Sequence, residues 1–198
     1  MVKVNPTSIQ GNWDEGYALD LHTLSSEFTG YDEYDHPHFD TKYSPLGDLL
    51  LQLKYRGNVE GISDIVDTAV SFIKEKWKIH IDLILPIPPS KTDRKIQPVE
   101  IIADRIAKNL EIKFSKDVLI KTRDTGELKN IDNPQERTKI LENAFQISDD
   151  IVKNKNILLF DDLYRSGATL KTITGLLKKH GKSNKVYVLA LTRTRTKS

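Results

Sequence analysis

Residues 156–170, NILLFDDLYRSGATL, decide the reading of this chain. An apolar run, residues 156–161, has the look of a buried strand and delivers two adjacent acids, Asp161 and Asp162, to its carboxyl end. A short turn, Leu163-Tyr164-Arg165-Ser166-Gly167, follows, and a helix starts near Ala168-Thr169. Open α/β sheets bind ligands at the carboxyl ends of their strands. The free N–H groups of a helix N-terminus favour phosphate, by about 0.3–1 kcal/mol per charge at exposed sites. Gly167 lets the backbone approach a ligand closely, Ser166 and Thr169 can donate hydroxyl bonds, and Arg165 adds a charge. Two acids beside a phosphate seat make sense if they face something else, and ribose hydroxyls are the natural partner of a carboxylate. Read as structure alone, the same segment is a solvated strand-to-helix turn capped by Asp162.

Working outward, the flanking pattern predicts an α/β protein. Residues 168–180 carry Leu170, Ile173, Leu176 and Leu177 on one helical face and close at Gly181, and residues 185–191 (KVYVLAL) read as a strand. Upstream, strands are predicted over 81–88 (IDLILPIP), 117–122 (DVLIKT) and 144–147 (AFQI), with a helix over 97–110. Ser44-Pro45 reads as an N-cap followed by proline at the first helical position. It opens a helix over 45–55 that Gly57 ends, and a second helical period runs from Ile62 through Lys76. Strand and helix alternate with short connections from residue 81 on, which implies a mostly parallel sheet flanked by helices. In residues 1–43 the alternation of Tyr17, Leu19 and Leu21 predicts a strand, and a second is expected near 39–43.

Composition narrows the function classes. The chain has 198 residues, 38% hydrophobic and 29% charged, enough apolar material for one ordinary domain. It contains no cysteine, which excludes a disulfide framework, a thiol nucleophile and a thiolate zinc site. The longest apolar stretch is a few residues, so no membrane partner is expected. The N-terminus lacks the pattern of a secretion signal, and a cytoplasmic protein is the expectation. The net charge of +2 hides an asymmetry: residues 1–40 carry −7, with Lys3 the one base, and the rest carries +9. The expected organisation is an acidic extension over 1–43, a possible hood, followed by an α/β domain over 44–198. The basic body suggests an anionic ligand.

The 156–170 pattern resembles the signature of type I phosphoribosyltransferases: an apolar strand, two acids, a short turn, then Thr/Ser-Gly-x-Thr. Arg165 departs from it, standing where that family most often has a small hydroxyl residue. The resemblance extends to residues 44–57 (SPLGDLLLQLKYRG), 82–106 (with LPIPPSK) and 119–145, whose order is similar to a ComF-type, competence-related branch. The cysteine zinc ribbon usual there has no counterpart. The resemblance implies a Rossmann-like, phosphoribosyltransferase-like fold and a PRPP-dependent pentosyl transfer, in which a nitrogenous acceptor displaces pyrophosphate from ribose C1. Asp161 and Asp162 would hold the ribose hydroxyls of 5-phosphoribosyl-1-pyrophosphate (PRPP). Arg165, Ser166, Gly167, Ala168 and Thr169 would seat its 5′-phosphate, and Ser90, Lys91 and Thr92 its pyrophosphate, with Arg94 and Lys95 adding charge. Residues 123–137 would be a closing flap. Arg123, Lys129 and Arg137 are candidates to reach the leaving group, and Asp161, Asp162 and Arg123 would be the catalytic residues. Mg²⁺ would be the cofactor, with Asp161 and Asp162 facing it indirectly through ribose or water. The implied partners are PRPP and a small-molecule acceptor, with a homodimer allowed and nucleic acid not favoured. The rival reading is a non-catalytic module of the same fold that senses PRPP or a nucleotide, or serves DNA uptake.

Three features are read as ordinary structure. Asp32, Asp35, His36, His38 and Asp40 are taken as a solvated loop rather than metal ligands. Trp13, Tyr17, Tyr31 and Tyr34 are expected to fasten an extended segment to the core rather than stack bases. Residues 192–197 (TRTRTK) are expected to be a frayed basic terminus.

Overall fold

The computed structural model describes residues 1–89, 96–123 and 143–195. Its strands are β1 (Thr7–Ser8), β2 (Glu15–Leu21), β3 (Thr23–Tyr31), β4 (Pro37–Tyr43), β5 (Leu83–Pro86), β6 (Lys113–Phe114), β7 (Leu119–Lys121), β8 (Phe145–Ile147), β9 (Asn156–Tyr164) and β10 (Lys185–Arg193). Its helices are α1 (Pro45–Arg56), α2 (Ile62–Lys76), α3 (Pro98–Leu110) and α4 (Ala168–Lys179).

The central sheet has the order β1-β2-β10-β9-β5-β6. All its neighbours pair in parallel except β1, which runs antiparallel along β2. The expected mostly parallel sheet flanked by helices is therefore present. Alternation along β9 explains why its run is apolar throughout: it is covered on both faces. Leu158 and Phe160 pack with Leu46, Leu50, Ile65, Ile102 and Ile106 from α1, α2 and α3. Ile157 and Leu159 pack with Leu170, Ile173 and Leu177 of α4 and with Val118, Leu119 and Phe145.

The predicted helices form with the expected punctuation. Ser44 Oγ accepts the Gly47 N–H at 3.0 Å, Pro45 opens α1 where no N–H is needed, and Gly57 closes it at φ 64°. Gly47 has a second role. A Cβ there would collide with the carbonyl oxygen of His22, so glycine lets α1 dock against the corner between β2 and β3.

The N-terminal segment contributes to the central sheet, β2 pairing along β10 from Glu15 to Leu21. Ile9, Trp13 and Ala18 join one core and Leu19 the other. Within residues 1–43, β3 and β4 stand apart from the central sheet as a two-stranded hairpin. Strands β7 and β8 form where strands are predicted and lie outside the central sheet. They pair antiparallel with each other, one flank buried at Leu119 and Phe145 and the other open at Ile120. One expectation needs correction: Thr192 and Arg193 are not a frayed end but the last two residues of β10, with Thr192 buried. Strands β1, β3 and β6 carry too little periodic apolar signal to have been anticipated.

The aromatic residues of the N-terminal segment divide. Trp13 is buried and donates from Nε1 to the Ile9 carbonyl, and Tyr17 packs on Phe72 and Trp77. Tyr31 and Tyr34 are exposed on the hairpin.

Candidate functional site

Strand β9 carries the two acids to the carboxyl edge of the sheet, where its neighbours β5 and β10 also end. Pro86 of β5 lies beside Phe160, and Ala190 of β10 beside Asp161. Asp161 Oδ1 accepts the N–H of Asp162 at 2.8 Å. Burial, and next the negative charge of Asp162, push the Asp161 carboxyl up to about 7. Backbone N–H bonds from Asp162 and Leu163 and the ammonium of Lys54 offset part of that rise.

Lys54 is the residue the sequence did not single out. It lies near the end of α1, and its Nζ sits 2.6 Å from Asp162 Oδ2, with the two side chains only 14% and 13% exposed. Alternation puts Asp162 in the same row as Leu158 and Phe160, the face that α1 covers. The LKY segment within 44–57 was the available signal, but spacing alone could not tell which strand end the lysine would reach.

A polar network backs the acids. The Thr192 hydroxyl donates to the Asp162 carbonyl at 3.0 Å, and His22 Nδ1 lies 3.2 Å from the same Thr192 oxygen. Since that hydroxyl hydrogen is already used, His22 must donate from Nδ1. Burial and the charges of Lys54 and Arg165 hold the His22 imidazole below its ordinary range, against the pull of Asp162. One strand over, Asp20 is buried at the end of β2. Burial raises its carboxyl, while the Leu21 N–H and the Ser44 side chain partly compensate.

After β9 the chain turns through Arg165 and Ser166, both exposed, into Gly167 at φ 71°. A Cβ on Gly167 would sit 2.7 Å from Tyr164 Cε2, so both the backbone conformation and the Tyr164 ring require glycine. No side-chain hydrogen bond caps α4 at Gly167, and Ser166 Oγ lies 3.5 Å from the Ala168 nitrogen. Thus Arg165, Ser166, Gly167, Ala168 and Thr169 form one contiguous turn and first helical residues, separated from Asp161 and Asp162 by Leu163 and Tyr164. These are the groups an anion at this helix end would meet.

Ser90, Lys91 and Thr92, with Arg94 and Lys95, lie outside the described residues, as do Lys129 and Arg137. Arg123 is exposed and lines a cavity of about 580 Å³ with Pro86, Pro88, Glu100, Lys116 and Thr122. Asp161 and Asp162 are not among the residues that line that cavity. Among the described residues no three His, Cys, Asp or Glu gather as a metal-binding group. On the hairpin, Asp32 Oδ1 instead accepts the N–H groups of Tyr34 and His36, and Oδ2 lies 3.3 Å from His36 Nδ1, which ties the turn.

No protein-family model and no curated protein matches the chain. Solved structures with a similar fold include the adenine phosphoribosyltransferase of Trypanosoma brucei in complex with AMP, pyrophosphate and ribose-5-phosphate. It is 15% identical, with 96% of this chain and 75% of that chain covered and a TM-score of 0.48. A hypoxanthine phosphoribosyltransferase from Staphylococcus aureus is 20% identical over 68% of this chain, at a TM-score of 0.41, and the match spans 64% of that chain. The glutamine PRPP amidotransferase of B. subtilis complexed with ADP and GMP is 18% identical over 67% of this chain and 28% of its own, at 0.47. Among the described residues no helix is long and apolar enough to cross a membrane.

Proposed function

We propose that this chain is a PRPP-dependent phosphoribosyltransferase. The observation that carries the reading is the continuity of the site. A buried parallel strand carries Asp161 and Asp162 near its end, and the next residues turn through a left-handed Gly167, which has no side chain to cap the helix it opens. Acids and anion seat are thereby held a fixed few residues apart, as a ribose 5-phosphate requires.

In this reading Asp161 and Asp162 accept hydrogen bonds from the ribose hydroxyls. The N–H groups at Ala168 and Thr169, the hydroxyls of Ser166 and Thr169 and the charge of Arg165 hold the 5′-phosphate. Ser90, Lys91 and Thr92 take the pyrophosphate, and Arg123 stabilises it as it leaves. A nitrogen lone pair of a small-molecule acceptor forms the new bond to C1 as the C1–oxygen bond breaks, and pyrophosphate departs with that electron pair. Positioning and electrostatic stabilisation of the leaving group supply the catalysis. Mg²⁺ suits the donor set at the strand end only indirectly, Asp161 and Asp162 facing it through ribose or water. When bound, it would neutralise charge on the leaving group. The ComF-type branch is proposed from motif order alone, and the cytoplasm as location from the cysteine-free composition.

Titration calorimetry with PRPP and Mg²⁺ tests the reading, followed by pyrophosphate release with a panel of nitrogenous bases. Binding that Asp162→Asn abolishes, with release for at least one base, is the expected result. Binding without release for any base would assign the site to a sensor, and no binding would end the proposal.

A further inference from the structure

We propose that Lys54 is a positioning residue of this site, holding the Asp162 carboxylate so that its other oxygen is presented to a ribose hydroxyl. The inference rests on the phosphoribosyl reading above and deepens it.

The geometry is specific. Lys54 Nζ lies 2.6 Å from Asp162 Oδ2, which leaves Oδ1 for a ligand. Lysine is among the residues least often found buried, yet this side chain is 14% exposed, while its neighbours Tyr55 and Arg56 in the same helical turn are exposed. The pair is also a poor way to stabilise a fold, since desolvating two charges offsets most of their attraction. An apolar residue beside Leu53 would serve packing as well. What the ammonium supplies is a fixed counter-charge at the end of β9, where two adjacent carboxylates would otherwise repel. Helix α1 is built to deliver it. Ser44 caps its start, Gly47 lets it approach the His22 carbonyl, and Leu46, Leu50 and Leu53 are buried along its length. The Thr192 hydroxyl holds the Asp162 main chain from the other side. Both ends of the aspartate are thus fixed before any ligand arrives, which lowers the ordering cost of binding.

The test compares ribose 5-phosphate with its 2-deoxy and 3-deoxy analogues by calorimetry, in wild type, Lys54→Met and Lys54→Arg. If Lys54 acts through Asp162 on one hydroxyl, K54M weakens ribose 5-phosphate about tenfold. It leaves unchanged the analogue lacking that hydroxyl, and K54R restores the wild-type preference. Equal weakening of all three sugars by K54M, or no weakening of any, overturns the proposal. Where K54M fails to fold, K54R alone decides: a kept preference supports a held carboxylate, and a preference lost with normal thermal stability overturns it. Failure of the underlying reading looks different. Wild-type protein would then bind neither ribose 5-phosphate nor PRPP with Mg²⁺, and the proposal would fall with it.

Discussion

Asp161 offers the sharpest quantitative test. Burial and the adjacent Asp162 raise its carboxyl from 3.8 to about 7. As pH rises, the unfolded chain releases this proton first, near pH 4, while the folded chain keeps it until near pH 7. Rising pH therefore favours unfolding across that window, and the penalty is complete above pH 7. About three pH units at about 1.4 kcal/mol each set a ceiling of about 4 kcal/mol. Asp161→Asn keeps the side-chain volume and an oxygen that can still accept the Asp162 N–H, but removes the ionisation. The variant should match wild type near pH 4 and exceed it by about 2–4 kcal/mol at pH 8. Urea denaturation at several pH values between 4 and 8 reads this directly. A stability difference flat with pH, or a variant no more stable than wild type at pH 8, would refute the assignment of a proton-retaining Asp161.

Other perturbations probe the placement of the site. Gly167→Ala forces a Cβ into the left-handed region and against Tyr164. It should lower stability by about 1–2 kcal/mol and weaken PRPP binding, and an unchanged denaturation midpoint would count against the turn geometry. Ser44→Ala removes the α1 cap and should cost about 1 kcal/mol, with Ser44→Asn recovering most of it in the same assay. Gly47→Ala must push α1 off the His22 carbonyl. Its thermal stability should fall below that of Ser44→Ala, and the reverse order would show that close docking of α1 is unimportant.

The sequence was most legible where one segment carried its own period and punctuation. Strand β9, α4 and β10 could be read because an apolar run, a glycine turn and an amphipathic helix follow one another without a gap. Helix α1 was legible because Ser44, Pro45 and Gly57 mark both ends. Partnerships were not legible. Nothing local in Tyr17, Leu19 and Leu21 says that their strand will lie along β10, because that pairing is decided by an edge formed far away in the chain. The same limit hid Lys54, whose importance comes from the helix approaching a strand end more than a hundred residues later. Strands β7 and β8 were read as strands, but three-residue lengths do not reveal which sheet they join.

The parallel pairing of β2 with β10 also bears on the order in which this molecule can be made. Glu15 through Leu21 align with Tyr187 through Arg193, so during synthesis the early strand must wait for a partner made some 170 residues later. Until then Ala18 and Leu19, fully buried in the finished sheet, have no β10 to shelter them, and the carboxyl end of β9 lacks one flank. Such long-range closure slows folding and leaves an open strand edge during synthesis, a state prone to wrong pairing. The acid pair acquires its Thr192 support only when β10 is seated. Competence to bind a ligand should therefore appear late and abruptly in refolding.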